Sequence, residues 1–163
     1  TDGKPMAMYG THEDISEAVK TRSDLLHAEE KYRIIAENNF NWEFWQGNDG
    51  NYLYHSPSVE RITGYTVAEL TPNERVIALI HPDDRAFFLS HHVETTCGKH
   101  AGEMNFRIID KNGEIHYIEH VCQPIYGKNG APLGIRGTNI DVTDKQLALN
   151  QIRKLLQAVE QSQ

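Results

Sequence analysis

The sequence predicts an α+β domain: a five-stranded antiparallel sheet, short helices on one of its faces, and a longer helix at each end. Three observations predict it. Two strand-like stretches flank a tight turn at Asn48-Asp49-Gly50, and three more follow after residue 101, separated by "KNGE" and "GKNG". Between the two groups lies a tract of short helical patterns broken by Gly64 and by His81-Pro82. At both ends run proline- and glycine-free tracts with helical apolar spacing. Strands, then helices, then strands again give an antiparallel sheet with its helices segregated to one face.

The first element is a helix predicted over residues 14–36, with Ile15, Val19, Leu25, Leu26, Tyr32 and Ile35 as its apolar positions and Asp14 with Glu17 in the form of an N-terminal cap. "NWEFWQGNDGNYLYHS" is a hairpin, because Asn and Gly supply the positive φ that a tight turn demands. Ser56 is placed to cap a helix whose first turn holds Pro57 and which Gly64 ends. "ERVIALIHPDDRAFFLSHHVETTCG" predicts a short helix, a break at His81-Pro82 and a longer helix from about Asp83 to Thr96. Pro82 suits a first helical turn, and Asp83 and Asp84 suit its positive end. "GEMNFRIID", "GEIHYIEHVCQPIY" and "APLGIRGTNIDVT" are the last three strands. Gly137 removes a side chain from the last of them, which leaves room for a neighbouring backbone or a ligand to approach closely. After Val142 a helix resumes with Thr143 and Gln146 as a capping box, and Leu149, Ile152, Leu156 and Val159 follow heptad a/d steps.

The two ends repeat one another. Residues 2–18, "DGKPMAMYGTHEDISEA", overlie 129–145, "NGAPLGIRGTNIDVTDK", at an offset of 127, with identities Gly3/Gly130, Pro5/Pro132, Gly10/Gly137, Thr11/Thr138 and Asp14/Asp141. That offset is the length of a domain. The expected organisation is therefore residues 1–13 as the remnant of the last strand of a preceding domain, 14–36 as a helical linker, 37–143 as the domain proper and 144–163 as a coiled-coil-like exit helix.

Composition narrows the function. A formal charge of −7 argues against binding nucleic acid, which needs a basic face. No apolar run approaches the roughly 20 residues of a membrane helix, so no direct membrane insertion is expected. Cys97 and Cys122 form no CxxC and no disulfide framework, which fits a reducing cytoplasm. No phosphate-cradling loop, GxSxG or paired-carboxylate arrangement is present, and no catalytic residue is assigned.

From about Asn39 to Thr143 the chain resembles a PAS domain, of the subgroup in which "SPSVERITGY", "HPDDR", "FRIIDKNGEIHYI", "QPIYGKNGAPLGIRG" and "DVT" occur in this order. Tandem PAS domains are joined by helices and end in an Asp-aliphatic-Thr/Ser step, here "DIS" at Asp14 and "DVT" at Asp141. The resemblance implies a PAS sensor domain of a larger regulator, with a histidine kinase or cyclic-dinucleotide enzyme as output. Its partners would be adjacent PAS and output domains and a second copy, paired through the flanking helices.

In PAS domains that bind a ligand, the pocket lies between the inner sheet face and the helices. Similarity to the flavin-binding light sensors implies that Met104, Phe106 and Ile108, then Ile118, His120 and Cys122, then Ile135, Gly137 and Asn139 point inward on the last three strands. His120, Cys122 and Asn139 are the polar ones, and a buried polar group needs a partner. They either orient a small molecule or, with His120 bonded to a backbone carbonyl or water, simply complete a core. Asp141 and Thr143 are the expected coupling between sheet and exit helix. The same similarity argues against two cofactors. The reactive cysteine of light-sensing flavin domains is replaced by Val76 in "RVIALI", and the haem-ligating histidine by Phe88, with His91 and His92 about a turn later. A non-covalent flavin or small metabolite remains open. A zinc site from His91, His92, Cys97 and His100 is disfavoured, since adjacent helical residues diverge by about 100°.

Three functions remain: a ligand-responsive sensor, a dimerising relay spacer with a collapsed core, and a metal or redox site built on Cys122 and the histidines.

Overall fold

The computed structural model describes residues 16–96 and 102–161. The proposed strand remnant at 1–13, the Asp14 cap, Cys97 and His100 lie outside them. Two compact units result, one ending at Ile35 and the other beginning at Ala36. The first is the body of α1 (Ser16–Glu37), a continuous helix as its unbroken helical pattern requires.

The second unit is the predicted α+β body. Its elements are β1 (Trp42–Gln46), β2 (Tyr52–His55), α2 (Ser58–Thr63), α3 (Val67–Leu70), α4 (Asn73–Leu79), a 3-10 turn over Pro82–Asp84, α5 (Arg85–Thr96), β3 (Gly102–Ile109), β4 (Ile115–Tyr126), β5 (Pro132–Asp141) and α6 (Thr143–Glu160). All five strands form one antiparallel sheet in the order β2-β1-β5-β4-β3. The last strand of the sequence is thus the middle strand of the sheet. Alternation is strict on its inner face: Met104, Phe106 and Ile108 are buried on β3, Ile118, His120 and Cys122 on β4, and Ile135, Gly137 and Asn139 on β5. Against them pack Val59 and Ile62 of α2, Leu70 of α3, Val76 and Leu79 of α4 and Phe88 of α5.

Two capping expectations need correction. Ser56 does not cap α2: its hydroxyl accepts the Glu43 N–H at 2.9 Å and donates to the Asn41 carbonyl, tying the helix approach to β1, and Pro57 occupies the N-cap position. Gly64 ends α2 as expected, with φ of 73° and its N–H on the Glu60 carbonyl. Thr143 and Gln146 do not form a capping box. Val142 holds the N-cap position of α6, because Thr143 Oγ1 is already engaged by the Tyr117 N–H and by Asp141. A capping box does form where none was expected, between Thr66 and Glu69 at the start of α3.

"HPDDR" and "FRIID" turn out to be two halves of one clasp. Asp84 accepts two hydrogen bonds from the Arg107 guanidinium, at 2.7 and 3.0 Å, and a third from the Arg107 backbone N–H at 2.8 Å. His81 N–H meets the Arg107 carbonyl, and Ile80 bridges to Ile108. The start of α5 is thereby pinned to β3. The hydrogen bonds from Arg107 outweigh the cost of burial and hold the Asp84 carboxyl below the usual carboxylate range.

Candidate functional site

Between the inner sheet face and the helices lies a cavity of about 20 Å³. Aromatic side chains from the first hairpin, Trp42, Phe44 and Tyr52, form one wall; Val76, Ile80, Phe88 and His91 come from the helical side; Phe106, His120, Cys122, Ile135 and Asn139 come from the last three strands. Of the inward residues named from the sequence, Met104, Ile108 and Ile118 are core residues outside this lining. Val76 and Phe88, which the resemblance aligns with the flavin-reactive cysteine and the haem-ligating histidine, do face the cavity. A cavity of this size accommodates about one water, whereas an organic ligand needs roughly 300 Å³ or more. As it stands, the core fits neither a flavin nor a haem.

One corner of the cavity is polar. The Nδ1–H of His120 donates to Asn139 Oδ1 at 2.7 Å, and the two residues are direct partners across the β4–β5 ladder. His91 Nε2 lies 3.3 Å from Cys122 Sγ, and the His91 and His120 rings meet edge to face, 5.4 Å apart. His120 is also stacked on Phe44 at 5.6 Å and contacts the tilted Phe106 ring at 5.8 Å.

Sequence reasoning left the lining from the first hairpin and the helices out of the pocket, His91 among it. His91 enters because it shares a helix face with Phe88, three residues before it. It also needs Gly102: a Cβ there would stand 2.0 Å from the His91 ring, so only glycine leaves room for it. Gly102 and Gly137 are the two ladder partners of Cys122. At Gly137 the expected close approach is made by the Phe44 ring, which a Cβ would meet at 2.6 Å. One glycine thus admits a histidine to the sulfur and the other admits an aromatic wall.

A second buried histidine sits at the opposite end of the inner face. His55 Nδ1 accepts the indole N–H of Trp42 at 3.0 Å. Burial, only partly offset by the Leu70 carbonyl, drops its pKa to about 4. Burial, with the nearby Cys122 second, also raises the pKa of Tyr52.

Below the polar corner, β5 runs into the exit helix. Asn139 and Asp141 are two residues apart and so share a face of the strand. Asp141 Oδ2 accepts from His116 Nδ1 at 2.9 Å, and its Oδ1 accepts from the Thr143 N–H at 2.9 Å and the Thr143 hydroxyl at 2.5 Å. Thr143 Oγ1 accepts the Tyr117 N–H at 3.0 Å, and the Val142 N–H meets the Tyr117 carbonyl. Burial opposes ionisation of Asp141, but the Thr143 and His116 hydrogen bonds prevail and keep its carboxyl below the ordinary range. The expected coupling pair is therefore part of a five-residue knot that binds β4, β5 and α6.

With that geometry in place, likeness to known proteins is specific. The family model for the PAS fold matches residues 52–139, more than half of the chain. An uncharacterized protein of Sinorhizobium fredii, y4lL, is 29% identical over 147 residues, and the chain spans 18% of its length. Among solved structures, a PAS domain from Colwellia psychrerythraea is 24% identical with a TM-score of 0.60, matching 72% of this chain and 98% of its own. A sensory box histidine kinase/response regulator from Burkholderia thailandensis is 25% identical with a TM-score of 0.57, over 74% of this chain and 90% of its own. The N-terminal domain of a diguanylate cyclase with a PAS/PAC sensor, from Marinobacter aquaeolei, shares the fold at 18% identity and a TM-score of 0.59, over 65% and 98%.

Proposed function

We propose a sensory and signalling role, and start from the kinship just established: this chain belongs to the PAS fold family. In this reading the chain is one module of a larger regulator, with a histidine kinase or cyclic-dinucleotide enzyme as output, and it works in the cytoplasm. No described helix is long and apolar enough to cross a membrane. A small occupant of the polar corner shifts the His120–Asn139 pair, and β5 carries the shift to α6. One observation carries the proposal: Asn139 of the cavity and Asp141 of the knot lie two residues apart on one face of the sheet's middle strand. The 25% identical Burkholderia protein, a sensory histidine kinase by name, supports the output class.

The test uses the full-length regulator. Thr143→Val removes the hydroxyl that joins Tyr117 to Asp141, and it should disconnect output from input while the melting temperature stays within a few degrees. Regulation that persists in this variant sinks the reading. His120→Ala and Asn139→Ala should also abolish the response, whereas Val121→Ala on the outer face should not.

A second reading has its own observation. A cavity of about 20 Å³ is close to a collapsed core, which suits a relay spacer that dimerises through its helices. Leu149, Ile152, Leu156 and Val159 of α6 are each about half exposed, an apolar seam open to solvent in a single copy. Pairing of this seam with a second copy is compatible with both readings.

A further inference from the structure

We propose that His91, His120 and Cys122 bind a zinc-type divalent transition-metal ion, with a fourth coordination position open toward the cavity. This inference rests on the reading of the polar corner as the input site and names its occupant. The three donor atoms, two imidazole nitrogens and one sulfur, all lie within 4.8 Å of one another. At Zn–N and Zn–S bonds of about 2.0 and 2.3 Å, tetrahedral ligands stand roughly 3.3–3.7 Å apart. His91 Nε2 and Cys122 Sγ already stand at 3.3 Å, so closure asks for less than the width of one atom.

Three features of the surroundings point the same way. Asn139 Oδ1 accepts a 2.7 Å hydrogen bond from His120 Nδ1–H, which in the neutral ring assigns the lone pair to Nε2. Such a partner on the far nitrogen is the usual support of a metal-bound histidine. Stacking on Phe44 holds the ring in that orientation. Gly102 opens the space through which His91 reaches the sulfur. The cavity beside them, of one-water size, suits a small fourth ligand and nothing larger.

An N₂S set of this kind favours borderline and soft cations over magnesium or calcium, which take oxygen donors. Three protein ligands with an open fourth position distinguish an exchangeable site from a closed structural one. On binding, the Cys122 S–H bond breaks, its proton passes to water and a sulfur–metal bond forms; no electrons are transferred.

The experiment is titration of the chelator-stripped 163-residue chain with Co²⁺ alone, followed by competition with Zn²⁺. One equivalent should bring up a thiolate-to-cobalt charge-transfer band together with the visible bands of a tetrahedral ion, and Zn²⁺ should bleach both. Cys122→Ser should abolish the charge-transfer band, and His91→Gln and His120→Gln should each weaken binding at least tenfold. Cys97→Ser should leave the titration unchanged. Circular dichroism of each variant confirms that it folds, and His91→Gln, at the less buried position, keeps the test decisive if His120→Gln does not. A wild-type chain with no one-to-one band overturns the proposal, as does a band that survives Cys122→Ser or disappears in Cys97→Ser. Failure here leaves the Thr143→Val result standing, while a junction that transmits nothing leaves a one-to-one titration standing, so the two readings fail separately.

Discussion

His55 and His120 are both buried on the inner face of the same sheet, yet their rings are wired in opposite senses. His55 Nδ1 accepts a hydrogen bond from the Trp42 indole N–H, whereas His120 Nδ1–H donates one to the Asn139 amide oxygen. The neutral tautomers are therefore different. His55 carries its proton on Nε2, a buried nitrogen without a close hydrogen-bond partner, and it does not line the cavity. His120 carries it on Nδ1 and keeps a lone pair on the other nitrogen. Burial alone does not mark a histidine as functional; the hydrogen-bonding sense of its neighbour does.

That contrast breaks most visibly with pH. His55 has a folded pKa of about 4 against 6.5 in the unfolded chain. Between those values the unfolded chain binds the proton and the folded one does not. Stability should therefore be full above about pH 6.5 and fall as the pH drops toward 4, by roughly 3 kcal/mol. Urea unfolding at several pH values measures this, and His55→Gln should flatten the profile. An equally steep profile in that variant assigns the titration elsewhere.

At the other histidine, Asn139→Ala removes the acceptor and leaves a buried N–H without it. The expected cost is about 1–3 kcal/mol by denaturant titration, together with a 10- to 100-fold loss of cobalt affinity. A loss of stability with unchanged affinity would make Asn139 a purely structural partner.

Gly102→Ala sharpens the comparison further, since it disturbs His91 without touching His120 or His55. The added methyl meets the end of a rotatable side chain rather than backbone, so the fold should lose only about 1 kcal/mol, within the range of a modest overpacking. The His91–Cys122 contact should be lost, read as a cobalt affinity tenfold or more below wild type.

The smallest effect on the core is expected from truncation after Asp144. The apolar seam of α6 is exposed within one copy, so the melting temperature of the domain should change little. Sedimentation should nonetheless shift from dimer to monomer. Equal monomer mass before and after truncation removes the pairing seam.

These residues also show what was legible beforehand. Sheet and hairpins were, because period-2 patterning and Gly/Asn turns are local signals, while the family resemblance supplied which face of each strand points inward. Gly64 as a helix stop was legible for the same reason. Ser56 and Thr143 carried the right chemistry for caps, but tertiary partners, the Glu43 and Tyr117 N–H groups, claimed their oxygens first. His91 was missed because the rotation of α5 over the sheet is set by packing and by the Asp84–Arg107 clasp, neither of which is local. The pairing of Phe88 with His91 on one helix face was the available signal. Cavity volume is a property of all the side chains at once and has no counterpart in any one motif.

The order of the sheet, β2-β1-β5-β4-β3, has a consequence for how the molecule comes into being. During synthesis from the N-terminus, the β1–β2 and β3–β4 hairpins emerge first, and each can zip by itself. No strand joins them in the sheet until Pro132–Asp141 leaves the ribosome and inserts between them. A nascent chain that ends at Tyr126 therefore holds two disconnected ribbons with their edges unpaired, a state open to wrong partners. Completion of the core and the start of α6 come within a dozen residues of each other, so the exit helix is born at the moment the fold becomes cooperative.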